Sequence, residues 1–309
     1  FLDVEGRASG SRVKFDCEYL NPGPAFTGRF QVRLLERIPI GAELFQAMSQ
    51  HEATARALSQ FSPQGQLTID ATFHRDDPHE EVHRNFVIEL FDGAVRYEHL
   101  PYALHGVTGR VIVQDDEVLF RQIRGQNDGG LITCSGRLTA DRLLELEFDA
   151  TSLALDDELR KALPAPLRVT WDQLRPHGHL DHLVSTYTRD LNSGVTGLTI
   201  EAQMWDRRSE DRTGVSVRPT WFPYHWQDLT GTIRYDNGRL TLEDLRGHHL
   251  QTTFTMGGTG RTATDGWWLD LAPCSIDRLE PSTELLESLP LSMLQALSTR
   301  AGGEVATLE

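Results

Sequence analysis

The stretch Leu100–Gly125, LPYALHGVTGRVIVQDDEVLFRQIRG, lies without a gap over Phe222–Gly247, FPYHWQDLTGTIRYDNGRLTLEDLRG. Pro101 and Pro223, Tyr102 and Tyr224, Thr108 and Thr230, Gly109 and Gly231, Arg124 and Arg246, and Gly125 and Gly247 are each 122 positions apart. Where identity fails, apolar character persists: Val111 faces Ile233, Val118 faces Leu240 and Ile123 faces Leu245. A chain that carries one unit twice is expected to stack copies of a single supersecondary piece, each in contact with its neighbours in sequence.

The repetition extends in both directions with small shifts, as it should if surface loops vary and packed strands do not. Downstream, DDELRKALP (Asp156–Pro164) matches STELLESLP (Ser282–Pro290), and a third copy of this piece, GAELFQAM, occupies Gly41–Met48. Each opens on an acidic or hydroxyl residue, or on Gly, and two of them stop at proline, so each is expected to be a short helix. Upstream, Ser62-Pro-Gln-Gly-Gln-Leu67 matches Arg175-Pro-His-Gly-His-Leu180. The expected organisation is a partial repeat over 1–40, one repeat over 41–156, a second over 157–290, and the start of another or a tail over 291–309.

Inside each copy the apolar period is two. Val111 and Val113, Leu240 and Leu242, Ile132 and Cys134, Phe254 and Met256, and Trp267, Leu269 and Leu271 alternate with polar neighbours, which marks strands with one apolar face. Asp236-Asn237-Gly238 between two such runs predicts a tight hairpin, and Gln114-Asp115-Asp116-Glu117 holds the same place in the first copy. The expectation is a mainly β chain: tandem antiparallel meanders, one short helix per repeat, and the Gly257–Thr262 run as a turn.

A unit of meandering strands with one short amphipathic helix, a Pro-Tyr followed by Thr-Gly, and a strand-turn-strand ending in Arg-Gly resembles the AsmA and TamB class of bacterial envelope proteins. These are related to the bridge-like lipid transfer proteins built of repeating β-grooves. The resemblance covers nearly the whole chain. It implies a curved, elongated β-groove with a greasy concave face and a wet convex one, a non-enzymatic role in lipid transfer or outer-membrane biogenesis, and a phospholipid or other acyl lipid as partner. It implies the bacterial periplasm or cell envelope as location, with membranes reached through parts outside this chain, and no cofactor. The residues it would place along the groove are Val111, Val113, Ile132, Leu146, Phe148, Ile233, Tyr235, Leu240, Leu242, Phe254, Trp267 and Leu269.

Read without the resemblance, the same rows make the core of a closed β-sandwich, since an apolar sheet face must be buried against something. A carbohydrate-binding sandwich is then the alternative, with Trp221, Trp226, Trp267 and Trp268 as ring platforms. Trp267 and Trp268, adjacent in one strand, are expected on opposite faces.

His177, His179, Asp181 and His182 spell HxHxDH, the ligand pattern with which a metallo-β-lactamase fold holds zinc to activate water, with His225, His248 and His249 as later candidates. That zinc-dependent metallohydrolase is a further alternative, but the matching copy reads Gln64-Gly65-Gln66-Leu67 and has no histidine there. The motif is therefore assigned to a scaffold strand and no metal is expected. The acid-rich run between Phe73 and His83 is expected to be a solvated loop. No Gly-x-Ser-x-Gly elbow is present, and the Gly257–Thr262 run lacks the Lys-Ser/Thr ending of a phosphate loop.

Composition narrows the classes further. A formal charge of −15 argues against a nucleic-acid partner, which requires a basic stripe that the chain's 30 Lys and Arg would have to form by tight clustering. No stretch has the roughly 18 charge-free apolar residues of a membrane span. The beginning, FLDVEGRASG, has neither an initiator Met nor the order of a signal peptide, so the chain is expected to be a piece of a longer protein. Cys17, Cys134 and Cys274 are odd in number and far apart, which predicts buried apolar thiols rather than a disulfide framework.

Overall fold

A computed structural model of the chain describes residues 2–8, 10–20, 23, 26–41, 44, 62–98, 100–205, 214–263, 265–280 and 282–289. Among these it is mainly β, an open antiparallel sheet architecture with seventeen strands and few helices. The residues cluster into two units, Phe1–Leu153 with His182–Ile200 and Ala154–Asp181 with Glu201–Glu309.

The first unit is a meander. Its strands are β1 (Leu2–Ala8), β2 (Ser11–Leu20), β3 (Thr27–Leu34), β4 (Ile38–Pro39), β5 (Gln64–Arg75), β6 (His83–Tyr97), β7 (Leu100–Gln114), β8 (Glu117–Asn127), β9 (Gly130–Leu138) and β10 (Leu143–Ala154), with parts of β11 (His179–Asp190) and β12 (Thr196–Met204). From β1 to β10 each strand pairs antiparallel with the one before it, except that β3 and the two-residue β4 both lie along β5. The second unit repeats the scheme with β13 (Val215–Val217), β14 (Trp226–Asp236), β15 (Arg239–His249), β16 (Thr252–Ala263) and β17 (Gly266–Asp277). The Asn237-Gly238 and Asp115-Asp116 turns close hairpins where the sequence places them, with Asn237 and Asp115 at φ 45° and 51°.

Backbone irregularities in β7–β9 recur 122 positions on in β14–β16. Thr108 pairs with Arg124 and Arg110 with Arg121, a shift repeated as Thr230 with Arg246 and Thr232 with Glu243. Phe120 pairs with Gly136 and Ile123 with Cys134, repeated as Leu242 with Gly258 and Leu245 with Met256. The residues that absorb these bulges, Gln122 and Asp244, both sit at φ 50°. A bulge adds one residue to one strand and sharpens its twist, so the two segments bend at matching positions.

Helices are short. α1 (Asp157–Ala162) is capped by Asp156, whose carboxylate accepts from the amides of Glu158 and Leu159, each at 2.9 Å. α3 (Thr283–Ser288) is capped by the Ser282 hydroxyl, which accepts from the Leu285 amide at 3.2 Å. The third expected helix, over Gly41–Met48, falls almost wholly outside the described residues, as does the expected piece over 291–309. One helix per repeat is an undercount, because α2 (Ala165–Leu174) follows α1 directly. Pro166 sits in its first turn, where a missing N–H costs nothing.

Two further expectations are corrected. Gly257–Thr262 is no turn but the second half of β16, where the strands approach so closely that a Cβ on Gly258 or Gly260 would lie within 2.3 or 2.2 Å of the carbonyl oxygens of Asp270 and Trp268. Cys274 is exposed, not buried, while Cys17 and Cys134 are half-buried. Burial and the Glu147 carboxylate push the Cys134 thiol up to about 12, so it stays protonated and behaves as a small apolar side chain.

Candidate functional site

Register assigns the strands from β1 to β10 a greasy and a wet side. Val4, Phe15, Val32, Ala71, Phe86, Val113, Val118, Leu138 and Leu144 stand opposite one another from β1 to β10. On the other side the same ladders align charges: Lys14 with Asp3 and Asp16 at 3.2 and 3.3 Å, Arg33 with Asp70 at 3.1 Å, and Arg110 with Glu89 and Arg137 with Glu145 at 2.5 and 2.6 Å. These pairs are exposed and individually weak, but they fix which side is wet.

The greasy side is not covered evenly. Toward β10 and β11 it is closed: Leu144, Leu146, Tyr97 and Tyr187 are buried together, with Phe120, Cys134, Leu138, Phe148 and Leu198 packed around them. The lid here is Tyr97, brought across by β6 after its register breaks at Leu90, Gly93 and Val95. Its ring stands 6.3 Å edge-on to Tyr187, and burial pushes the Tyr97 phenol up to about 12.

Toward β1 the face is open. Phe15, Phe30, Phe73 and Phe86 form a ladder across β2, β3, β5 and β6, with centroids 6.1, 6.1 and 5.3 Å apart. Phe30 remains 39% exposed and Val4 42%. A shallow concavity of about 340 Å³ opens beside the ladder, its inner surface made by Cys17, Tyr19, Phe26, Phe30, Phe73 and Val82, with Glu18, Gly28, Arg29 and His74 completing its wall. Ring edges and methyls there offer dispersion contacts and few hydrogen bonds, a lining suited to hydrocarbon.

In the second unit the apolar side carries Ile233, Tyr235, Leu240, Leu242, Phe254, Trp267 and Leu269. An aromatic cluster sits at its far end: Tyr224 and Phe254 both stand edge-on to Trp226, at 4.9 and 4.0 Å, and Trp221 lies 6.3 Å from Trp267. α2 rests on β16 and β17, and the Trp267 indole N–H donates to the Gln173 side-chain oxygen. Trp268 points to the opposite side, 56% exposed.

All twelve groove candidates thus lie on the apolar side of their own unit, but in different solvents. Ile132, Leu146, Tyr235, Leu242 and Phe254 are buried, whereas Val111, Val113, Phe148, Ile233, Leu240, Trp267 and Leu269 are half-buried. Sequence reasoning passed over Phe15, Phe30, Cys17 and Tyr19 because β2 and β3 lie outside the two matching segments; their own alternation was the available signal.

The HxHxDH residues lie at the start of β11 and just before it. The His177 backbone bridges Ser216 at 2.9 Å in both directions, Asp181 accepts from the Trp205 amide at 2.7 Å, and His182 faces Asp149 at 3.2 Å. Among the described residues no three His, Cys, Asp or Glu side chains converge as a metal would need. The acid-rich residues 76–82 form the loop between β5 and β6. Among the described residues no helix is long and apolar enough to cross a membrane. Comparison with family models, with curated proteins and with solved structures found no match.

Proposed function

We propose that this chain is a non-enzymatic, lipid-binding segment of a cell-envelope protein of the AsmA and TamB kind, holding acyl chains along tandem repeats of a β-groove. The observation that carries this reading is the open aromatic and aliphatic side of β1–β6, backed by a mostly polar and charged side on the same strands. A sheet that is greasy on one side and leaves that side half exposed needs an apolar occupant. The matched bulges 122 residues apart support the tandem-repeat part of the reading. The sealing of β8–β11 by Tyr97 supports an acyl site in the first unit that lies toward β1, away from Leu146.

The test is lipid extraction and native mass spectrometry on the purified chain. Acyl lipid recovered in stoichiometric amount supports the reading; protein free of lipid that also takes up none from detergent-free vesicles overturns it. Oligosaccharide binding through Trp221 instead would favour the sandwich module.

A further inference from the structure

Among the described residues β17 makes one ladder, with β16, and its other edge is bare. Residues 270–279 are exposed without a break, whichever side of the strand they face, and Ile276 and Leu279 keep 53% and 56% of their surface in water. An edge of this kind presents a row of main-chain N–H and C=O groups ready to template a further strand. The counterpart of β17 in the first copy is β10. Ser152 and Arg278, 126 positions apart, both sit in the left-handed region at φ 57° and 53°, and Asp156 and Ser282, which cap α1 and α3, are again 126 positions apart. Yet Leu153 is 3% exposed where Leu279, its match, is 56% exposed.

In the earlier copies the corresponding edge is taken by the strand that returns after the helical piece. Ile38 pairs with Leu67, and the Ile40 amide, just before the Gly41–Met48 piece, donates to the Gly65 carbonyl at 2.8 Å. The Leu155 amide, just before the cap of α1, donates to the Gly178 carbonyl at 2.9 Å. One contact therefore recurs, between the residue that precedes the helical piece and the glycine that opens the returning strand. Glu43 to Gly65 and Glu158 to Gly178 span 22 and 20 positions, and Glu284 stands 19 positions before Gly303. After each glycine comes a polar and then an aliphatic residue: Gln66-Leu67, His179-Leu180 and Glu304-Val305.

We propose that the bare edge of β17 is a strand-acceptor site and that its occupant is this chain's own Gly303-Glu-Val-Ala-Thr-Leu308, added antiparallel with Val305 opposite Leu279. The inference rests on the tandem-repeat part of the reading above and not on its lipid part. Pro281 stands where Ile40 and Leu155 give their amides and has no N–H to give, so the first full main-chain pair is Leu279 with Val305. Val305 is β-branched and suited to a strand, and it covers Leu279 as Leu67 covers Ile38. Strand addition of this type draws its affinity from main-chain hydrogen bonds and its register from alternate side chains. The apolar side of the second unit then runs on to another strand instead of ending at β17.

Residue-resolved hydrogen exchange and methyl NOEs on the full chain test this. Amides over 274–279 should exchange more slowly in the native chain than in Val305→Pro, which removes the donor, by a factor on the order of ten. An NOE between the Leu279 and Val305 methyls should be present in the native chain. Val305→Thr keeps the N–H and the branched side chain and should keep the slow exchange. Exchange in β15 should be the same in all three proteins, which shows that the second unit stays folded. Equally fast exchange over 274–279 in the native and Val305→Pro chains, with no Leu279–Val305 NOE, overturns the strand site. Slow exchange that survives Val305→Pro and deepens with protein concentration overturns it too, because a second copy then holds the edge. Lipid extraction is read separately: slow exchange in protein free of lipid keeps the strand site and sinks only the lipid reading, and bound lipid with a fast-exchanging edge does the reverse.

Discussion

Phe30 and Leu146 face the same side of the first unit's sheet but stand in different solvents. Phe30 is 39% exposed in the aromatic ladder, whereas Leu146 keeps 4% of its surface beneath Tyr97 and Tyr187. Phe30→Asp removes a partly solvated ring and places a carboxylate where water can reach it, so a cost of about 1–2 kcal/mol is expected by denaturant titration. Acyl-probe binding to the first unit should be lost with it. Leu146→Ala leaves a cavity in a closed cluster and should cost about 2–5 kcal/mol, with probe binding retained in whatever fraction stays folded. The reverse pattern, binding lost only with Leu146→Ala, would place the ligand in the closed part. On the wet side, His83 Nδ1 lies 3.0 Å from Asp115, whose other oxygen accepts from the Arg84 amide at 2.8 Å. The hydrogen bond to Asp115, then its charge, raise the histidine above 6.5, and the same contact lowers Asp115 below 3.8. Stabilisation from a raised histidine is complete below 6.5 and lost as pH climbs through its folded value; that from a lowered carboxylate is present above 3.8 and lost as pH falls through its folded value. The pair therefore acts between these limits. An NMR titration should put the His83 midpoint above 6.5, and Asp115→Asn should remove most of that elevation.

At the scale of elements, the bulged hairpins decide where the sheet bends. Gly109 and Gly231 stand at φ 147° and 122°, and a Cβ on either would meet the backbone of the strand opposite at 2.7 or 2.8 Å. Gly109→Ala and Gly231→Ala should each cost on the order of 1–3 kcal/mol or more, and by similar amounts, because the opposing contacts are the same 122 residues apart. Very unequal costs in thermal melts would mean that the two bulges, alike in register, do different work. Much of this layer was legible in the sequence. Period-two alternation marked the strands and their sides, Asn237-Gly238 marked a hairpin, and Asp156 and Ser282 marked helix starts. α2 was hidden because Pro164 and Pro166 flank its start, the β-branched Val169 and Thr170 dilute its helical character, and a left-handed Arg175, not a glycine, ends it. The Gly257–Thr262 run reads as a turn yet is strand, because glycine also serves where two backbones nearly touch. Which stretch of apolar face is closed was not legible: it depends on Tyr97 being carried over β10 by consecutive register breaks in β6, and alternation does not encode a bend.

For the whole molecule, the decisive pairing is a strongly negative chain with a partly exposed apolar face. The formal charge is −15, and the ion pairs Arg33–Asp70, Arg110–Glu89 and Arg137–Glu145 lie on the side opposite the phenylalanine ladder, while Arg75, two residues from Phe73 and 5.1 Å from the Phe26 ring, and Arg84, opposite Phe73, share the ladder's side. Binding of hydrocarbon should therefore draw nothing from local ion pairs, while the approach of an anion is opposed by the long-range field. The Debye length shrinks from about 30 Å at 0.01 M salt to about 8 Å at 0.15 M, so that opposition is largely screened at physiological ionic strength. A fatty acid, ionised at pH 7, should associate several-fold faster at 0.15 M than at 0.01 M salt. A monoacylglycerol with the same chain carries no charge and should associate at nearly the same rate in both. Dissociation rates should change little for either, since the contacts that hold the chain are dispersion and desolvation. Fatty-acid association that slows as salt is added would point instead to a cation waiting at the apolar face, and the site would then select for an anionic headgroup as well as for the acyl chain.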